Sequence, residues 1–400
     1  MISISLCMIV KDEEKVIERC LDSVKNIVDE IIVVDTGSTD RTEEICKKYT
    51  NKIYHLPWKD DFASARNYSF SKASKDYILW LDADDVILSE DNEKFVKLKE
   101  TLAEDVDSVQ MNYVLSRDKK GNVTSSLMRN RLVKKSRRYR WVGAVHEYLD
   151  VFGHVMKSDI SINHLSEKEG LSSRNLKIYD KMREKGVEFT PRDLYYYANE
   201  CYEHGLYTQA YLYYRKFIDT NQGWIEDYIG AFEKGTDSLI QLSNLGEAEK
   251  FAYESFLYDS PRANLCCKLG YIFFAKDEID KAIYWYKAAT LSDLERVKQS
   301  GAFINYAYYT WIPHIQLCVC YDRKGLYHLS YYHNEMARMY QPDDVNVLQN
   351  KKYLEDLIGK MKQSDIDSKE LNKPLKESNI LLEESKPNVK ETIASPGEEG

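Results

Sequence analysis

Three groups of residues in this sequence have the types and spacing to do chemistry: Asp35–Thr36–Gly37–Ser38–Thr39–Asp40, Asp82–Ala83–Asp84–Asp85 and His146–Glu147. The second is the most demanding. Three carboxylates within four residues follow the apolar run DYILWLD. At the end of a buried strand such charges are costly unless a cation offsets them. Asp82 and Asp84, one residue apart, can face the same ion. Hard oxygen ligands with open positions suit Mg²⁺ or Mn²⁺, which take phosphate oxygens as further ligands. The bland alternative is a polar exit from strand to loop. The first group also contains Asp–Thr–Gly–Ser, the short signature of aspartic proteases, whose paired aspartates share a proton. That chemistry needs a second copy or a symmetric dimer of small all-β chains. The sequence holds no second copy, and the following RTEEICKKY reads as helix. A βα turn in a nucleotide site fits better. Asp35 can accept from a base or ribose donor there, and Gly37 permits close backbone approach.

Elements to position these residues are legible on either side. Ile2–Val10 reads as a short apolar strand. Glu13–Val24 has helical spacing, with Val16, Ile17, Cys20, Leu21 and Val24 on one face. Glu30–Asp35 (EIIVVD) and Asp76–Asp82 are buried-strand runs, and Ile53–Leu56 is a short strand. Thr39–Tyr49 and Phe62–Ser74 read as helices. Strand–helix alternation predicts a parallel sheet covered on both faces. Ligands in such sheets bind beyond the carboxyl ends of the strands. Asp35 and Asp82 both stand at such ends, and the expectation is that they converge on one cation.

The composition changes near residue 190. Eight of the 31 tyrosines precede it, and the other 23 lie between Tyr195 and Tyr353. From residue 192 the pattern is purely helical. Four segments place a small residue where two helices cross: GLYTQA (Gly205–Ala210), SNLGEA (Ser243–Ala248), DEIDKA (Asp277–Ala282) and GLYHLS (Gly325–Ser330). The small residues are 38, 34 and 48 positions apart. A period near 34 resembles tetratricopeptide repeats, whose stacked helix pairs form a concave face for a peptide or another chain. A plain helical bundle is the alternative. The predicted division is 1–165, a nucleotide-site domain; 166–191, a helical linker; 192–360, helical repeats; and 361–400, a charged, Pro-bearing tail without aromatics that is expected to be disordered.

Composition excludes several classes. With 56 basic and 65 acidic side chains the net charge is -9, which argues against general nucleic-acid binding. No run of 18 apolar residues exists, so a spanning helix is not expected. The start, MISISLCMIVKDEE, lacks the basic opening and long apolar stretch of a signal peptide, which predicts a cytoplasmic protein. The eight cysteines contain no CxxC pair and read as reduced, buried thiols rather than a zinc site or disulfide framework.

SLCMIVKDEE, DEIIVVDTGSTDRT, WKDDFASARN, DYILWLDADD and WVGAVHE, in this order, resemble family 2 glycosyltransferases of the GT-A fold. The resemblance covers residues 1 to about 165. It implies an α/β fold: a GT-A, Rossmann-like nucleotide-sugar domain, followed here by an all-α, tetratricopeptide-like region. That architecture is similar to the sublancin-type S-glycosyltransferases, which modify bacteriocin peptides on cysteine or serine. By resemblance, Asp82 and Asp84 match the Asp–x–Asp motif that holds the divalent metal, Mg²⁺ or Mn²⁺, and the donor diphosphate. His164 looks like the later histidine that completes the metal shell. Val10 and Lys11 match the start of the nucleotide pocket, Asp35 the acid on the uracil or ribose, Gly37 its turn, and Arg66 a position beside the base. Glu147 looks like the catalytic base of a short x–Glu–Asp motif. Here His146–Glu147–Tyr148 lacks the second acid, so His146 is the alternative base or a diphosphate contact.

The resemblance implies an inverting, metal-dependent hexosyltransferase using a nucleotide-sugar, most simply a UDP-sugar. The acceptor would be a peptide or protein held by the repeats. Synthesis of surface polysaccharide or glycolipid is the enzymatic alternative, and a non-catalytic repeat scaffold is the other. The sequence leaves the oligomeric state open, a homodimer included. Arg129, Arg131, Lys134, Lys135, Arg137, Arg138 and Arg140 form a basic stretch, read either as an acceptor loop or phosphate clamp or as a solvated hairpin. Trp141 reads equally as a sugar platform or as core. His55, His154, His204, His314, His328 and His333 lack ligand-like spacing and are assigned structural roles.

Overall fold

The structure, a computed structural model, describes residues 1–117, 121, 123–166, 170–300 and 304–364. It divides into two units, Met1–Val187 and a second beginning at Glu188.

In the first unit, β1 (Ile4–Val10), β2 (Glu30–Asp35), β3 (Ile53–His55) and β4 (Tyr77–Trp80) form the parallel half-sheet expected, with β1 between β2 and β4. β-Branched and apolar side chains bury both faces of β1, β2 and β4. Ile4, Leu6 and Met8 pack with Ile17, Cys20, Leu21 and Val24 of α1 (Ile17–Val24), while Cys7 and Ile32 belong to the core on the other face. α2 (Thr42–Cys46) and α3 (Phe62–Lys72) complete the crossovers.

Beyond β4 the sheet becomes mixed rather than purely parallel. After β5 (Asp85–Val86) and α4 (Ser89–Thr101), the strands β6 (Ser108–Arg117) and β7 (Val123–Lys134) follow one another without a crossover helix. Strands joined directly must run antiparallel, and β7 inserts beside β4 in that sense. β8 (Arg140–Val142) and β9 (Tyr148–Asp150) make a separate two-stranded ribbon. β10 (Val155–His164) runs parallel to β6 and antiparallel to β5, giving the order β3-β2-β1-β4-β7-β6-β10-β5. The short β5–β10 pairing sets His164 opposite Asp85, so topology brings a residue 79 positions later to the acid cluster. α5 (Arg174–Glu184) closes the unit, within the stretch expected to be a linker.

Every element described in the second unit is helical. α6 (Pro191–Glu203) starts with a capping box between Thr190 and Asp193 and proline in its first turn. It pairs with α7 (Tyr207–Asp219). α8 (Ile225–Gln241) pairs with α9 (Leu245–Glu254), α10 (Ala263–Ala275) with α11 (Ile279–Thr290), and, after α12 (Leu294–Gln299), α13 (Trp311–Arg323) with α14 (Tyr327–Tyr340). The four turn segments read from the sequence join the helices within these four pairs. Each turn opens on a left-handed residue: Gly205, Ser243, Asp277 and Gly325 have φ of 73°, 58°, 60° and 70°. The next amide then reaches back to a carbonyl in the first helix: Leu206 to Cys201, Asn244 to Leu239, Glu278 to Phe273 and Leu326 to Tyr321. Ala210, Ala248, Ala282 and Ser330 are completely buried at the crossings. The 48-residue spacing has a local cause. α12 and a short turn of helix at Tyr306–Tyr309 are inserted between the third and fourth pairs. α15 (Val345–Ser364) follows and extends into the first residues of the expected tail; the rest of that tail lies outside the described residues. No helix among the described residues is long and apolar enough to cross a membrane. All eight cysteines are free and buried.

Candidate active site

The acid cluster forms where β4 ends. Asp85, fully buried, accepts from the Asp82 amide at 2.9 Å and from Arg131 Nη1 at 2.9 Å through the same Oδ2. Its Oδ1 has no hydrogen-bond partner among the described residues and faces His164 Nδ1 at 3.8 Å. His164 Nδ1 also lies 3.4 Å from Asp84 Oδ1 and 3.0 Å from the Tyr113 hydroxyl. The neighbouring carboxylates, Asp84 first and Asp85 second, hold the His164 imidazolium up to about 10. Ligand atoms of Asp84, Asp85 and His164 all fall within 4.8 Å of one another, the one such His, Cys, Asp or Glu cluster among the described residues. Two carboxylates and an imidazole, one carboxylate oxygen buried and unpartnered, fit Mg²⁺ or Mn²⁺.

Asp82 is directed elsewhere. Its Oδ1 accepts from Arg66 Nη2 at 2.8 Å, and Arg66 Nε donates to Glu147 Oε1 at 2.6 Å. Arg66 thus ties the first acid of the DADD motif to the expected base. Its guanidinium lies 5.1 Å from the Trp80 ring and 4.8 Å from the Trp141 ring. Burial pushes the Asp82 carboxyl up, but Arg66, then Arg131 and Arg129, outweigh it and hold the group at about 2. The helix carrying Arg66 is fixed on the loop carrying Glu147. Asn67 exchanges two hydrogen bonds with the Trp141 backbone, both at 2.9 Å, and the Phe62 amide donates to Ala144.

Asp35 ends β2, beside Val10 at the end of β1, so β1 separates it from Asp82 rather than leaving the two on neighbouring strands. Its Oδ1 accepts from the Gly37 and Ser38 amides, both at 2.7 Å. Its Oδ2 is buried with no partner among the described residues. Gly37 has φ of 109°, a conformation that favours glycine, and open space where a side chain would stand. Asp12 accepts from the Thr39 amide at 2.7 Å and so joins the loop after Lys11 to the DTGST turn. Lys11 itself is exposed.

His146 takes a left-handed φ of 50°, and its ring lies parallel to Tyr179 of α5, 6.4 Å between centroids. Trp141 is core, packed edge-on against Trp80 at 4.7 Å and against Phe70. The basic stretch divides. Arg131 is buried between Trp80 and Tyr113, at 3.8 and 4.3 Å, whereas Lys135, Arg137, Arg138 and Arg140 are exposed. Sequence reasoning places Asp85 in the acid cluster and Arg131 in the basic stretch but assigns neither to the metal site, and it misses Tyr113. The alternation R-N-R within a strand was the available signal for a buried arginine.

Residues 5–161 match the family model described as Glycosyl transferase family 2, so the first unit carries a family 2 glycosyltransferase domain. The chain is 30% identical over 184 residues to the SPbeta prophage-derived glycosyltransferase SunS of Bacillus subtilis, covering 45% of this chain and 43% of that one. It is 51% identical over 90 residues to a TPR repeat-containing protein of Synechococcus elongatus, covering 22% of each. The chain therefore spans less than half the length of these curated relatives. Among solved structures, glucosyl-3-phosphoglycerate synthase of Mycobacterium tuberculosis, in complex with Mn²⁺ and UDP-glucose, matches with a TM-score of 0.34 at 16% identity, over 48% of this chain and 81% of that one.

Proposed function

We propose that the chain is an inverting, metal-assisted transferase that moves a sugar from a nucleotide-sugar, a UDP-sugar in the first instance, to a peptide or protein acceptor. The observation that carries this reading is the convergence of Asp84, Asp85 and His164 beside the Arg66-linked pair Asp82 and Glu147, within a family 2 domain. Asp84, Asp85 and His164 hold the divalent cation, which when bound supplies Lewis-acid stabilisation of the departing diphosphate. Asp35 offers its unpartnered Oδ2 to a ring N–H of the base, while Val10, Lys11 and Gly37 wall the nucleotide pocket. Arg66 fixes Asp82 for the ribose or diphosphate and orients Glu147. Glu147 keeps one oxygen for Arg66 and uses the other to take the acceptor's proton, a step worth about 10²–10⁴-fold. A cysteine acceptor ionises more readily than serine and would depend less on Glu147.

The helical repeats are the acceptor-holding part in this reading. Support comes from the four helix pairs with a common turn geometry. The test is mass spectrometry of Cys- and Ser-containing peptides incubated with the protein, Mn²⁺ and a panel of nucleotide-sugars. A gain of one hexose, lost with chelator and with Glu147→Ala on a serine acceptor, is expected. Sugar found only on lipid or polysaccharide would contradict the peptide assignment.

A further inference from the structure

Among the described residues, the acids and cations of the site pair off and the Arg129 side chain is left over. Asp82 and Glu147 share Arg66; Asp85 takes Arg131; Asp84 faces His164. Arg129 makes no hydrogen bond or ion pair among the described residues, and its Nε is buried without a partner. It stands in β7 opposite Met111 of β6, two residues before Arg131, and β7 runs alongside the strand that leads into the acids. Its guanidinium lies 5.4 Å from the centre of the Tyr113 ring, the same ring that covers Arg131 and whose hydroxyl meets His164. Arg129 therefore borders the cluster from the β7 side, while Arg66 borders it from α3.

An unpaired guanidinium removed in part from water is costly. Stacking on one ring recovers only part of that cost. Exposure would have been simple, since Arg137, Arg138 and Arg140 of the same stretch reach solvent. An anionic ligand arriving at the cluster would remove the cost. A planar fork of N–H donors matches phosphate oxygens better than an ammonium does.

We infer that Arg129 is an anion-binding residue of this site, which receives the diphosphate of the bound nucleotide on the side opposite Arg66. This rests on the nucleotide-sugar reading above. The residue positions the diphosphate and neutralises the charge that grows on it as the sugar leaves.

The experiment is calorimetric titration of inorganic pyrophosphate and, separately, uridine into the whole protein with Mn²⁺ present, for wild type, Arg129→Gln, Arg129→Met and Arg129→Lys. Pyrophosphate binding is expected to weaken about tenfold or more in the glutamine and methionine variants, with lysine recovering part of it. Uridine affinity is expected to stay unchanged, which a merely structural role of Arg129 would not predict. Wild-type pyrophosphate affinity in both Arg129→Gln and Arg129→Met would overturn the inference and leave the nucleotide reading intact. Failure of the wild type to bind either probe would instead sink the reading on which it rests.

Discussion

Arg66 is the most informative residue to perturb, because one guanidinium serves two acids. Arg66→Gln leaves Asp82 and Glu147 without their cation. The Arg66 and Glu147 side chains are each 11% exposed, so that pair counts as buried. Removing one partner of a buried pair costs about 3–5 kcal/mol. Asp82 is 35% exposed, and solvent screening reduces its share to about 1 kcal/mol or less. For a unit of this size each kcal/mol moves Tm by about 2–4 °C. The first unit's transition, followed by fluorescence of Trp80 and Trp141, should therefore fall by about 6–24 °C at pH 7. The pH dependence has a definite sign. Folding lowers the Asp82 carboxyl from 3.8 to about 2, so its stabilisation is complete above about pH 4 and is lost as pH falls toward 2. The gap between wild type and variant should narrow in that window. A Tm change under about 2 °C at pH 7, or a gap that widens on acidification, would refute the reasoning.

Other expectations follow from separate parts of the molecule. Ser243→Gly relieves a left-handed turn residue and should stabilise the second unit by about 0.5–1 kcal/mol, whereas Gly205→Ala at the equivalent turn should destabilise it by a similar amount; thermal unfolding of the two variants reads both signs. Glu30 is buried at the base of the sheet, where burial raises its carboxyl but Lys52, Ser5 and Ser74 bring it down to about 2. Glu30→Gln should cost stability above pH 4.5 and progressively less as pH falls toward 2, as measured by urea midpoints across that range. All eight thiols are buried, so the native protein should react with an aromatic disulfide reagent only on unfolding; rapid titration of even one thiol would contradict the burial.

Much of the fold was legible because it is written in local pattern. EIIVVD and DYILWLD could be little else than buried strands, and each small residue read at a helix crossing is buried at one. The second half of the sheet was less legible. β10 pairs with β5 across 79 residues, and nothing local announces that His164 will stand opposite Asp85. The site divided in the same way. Asp84 and His164 came from the motif and its resemblance. Asp85 belongs to the acid cluster legible in the sequence, but its pairing with Arg131 was not legible, because Arg131 sits in a run of basic residues whose alternation buries only part of it. Arg66 was expected beside the base, and its bridging of Asp82 to Glu147 depends on packing between two tryptophans that no spacing encodes.

The central claim is that Asp84, Asp85 and His164 grip a cation that activates a nucleotide-sugar. Its most direct test is hydrolysis of the donor alone, with Mn²⁺, by wild type and by Asp84→Ala. The account predicts metal-dependent turnover in the wild type and a loss of about 10²–10³-fold in the variant. Hydrolysis by Asp84→Ala at the wild-type rate would contradict it.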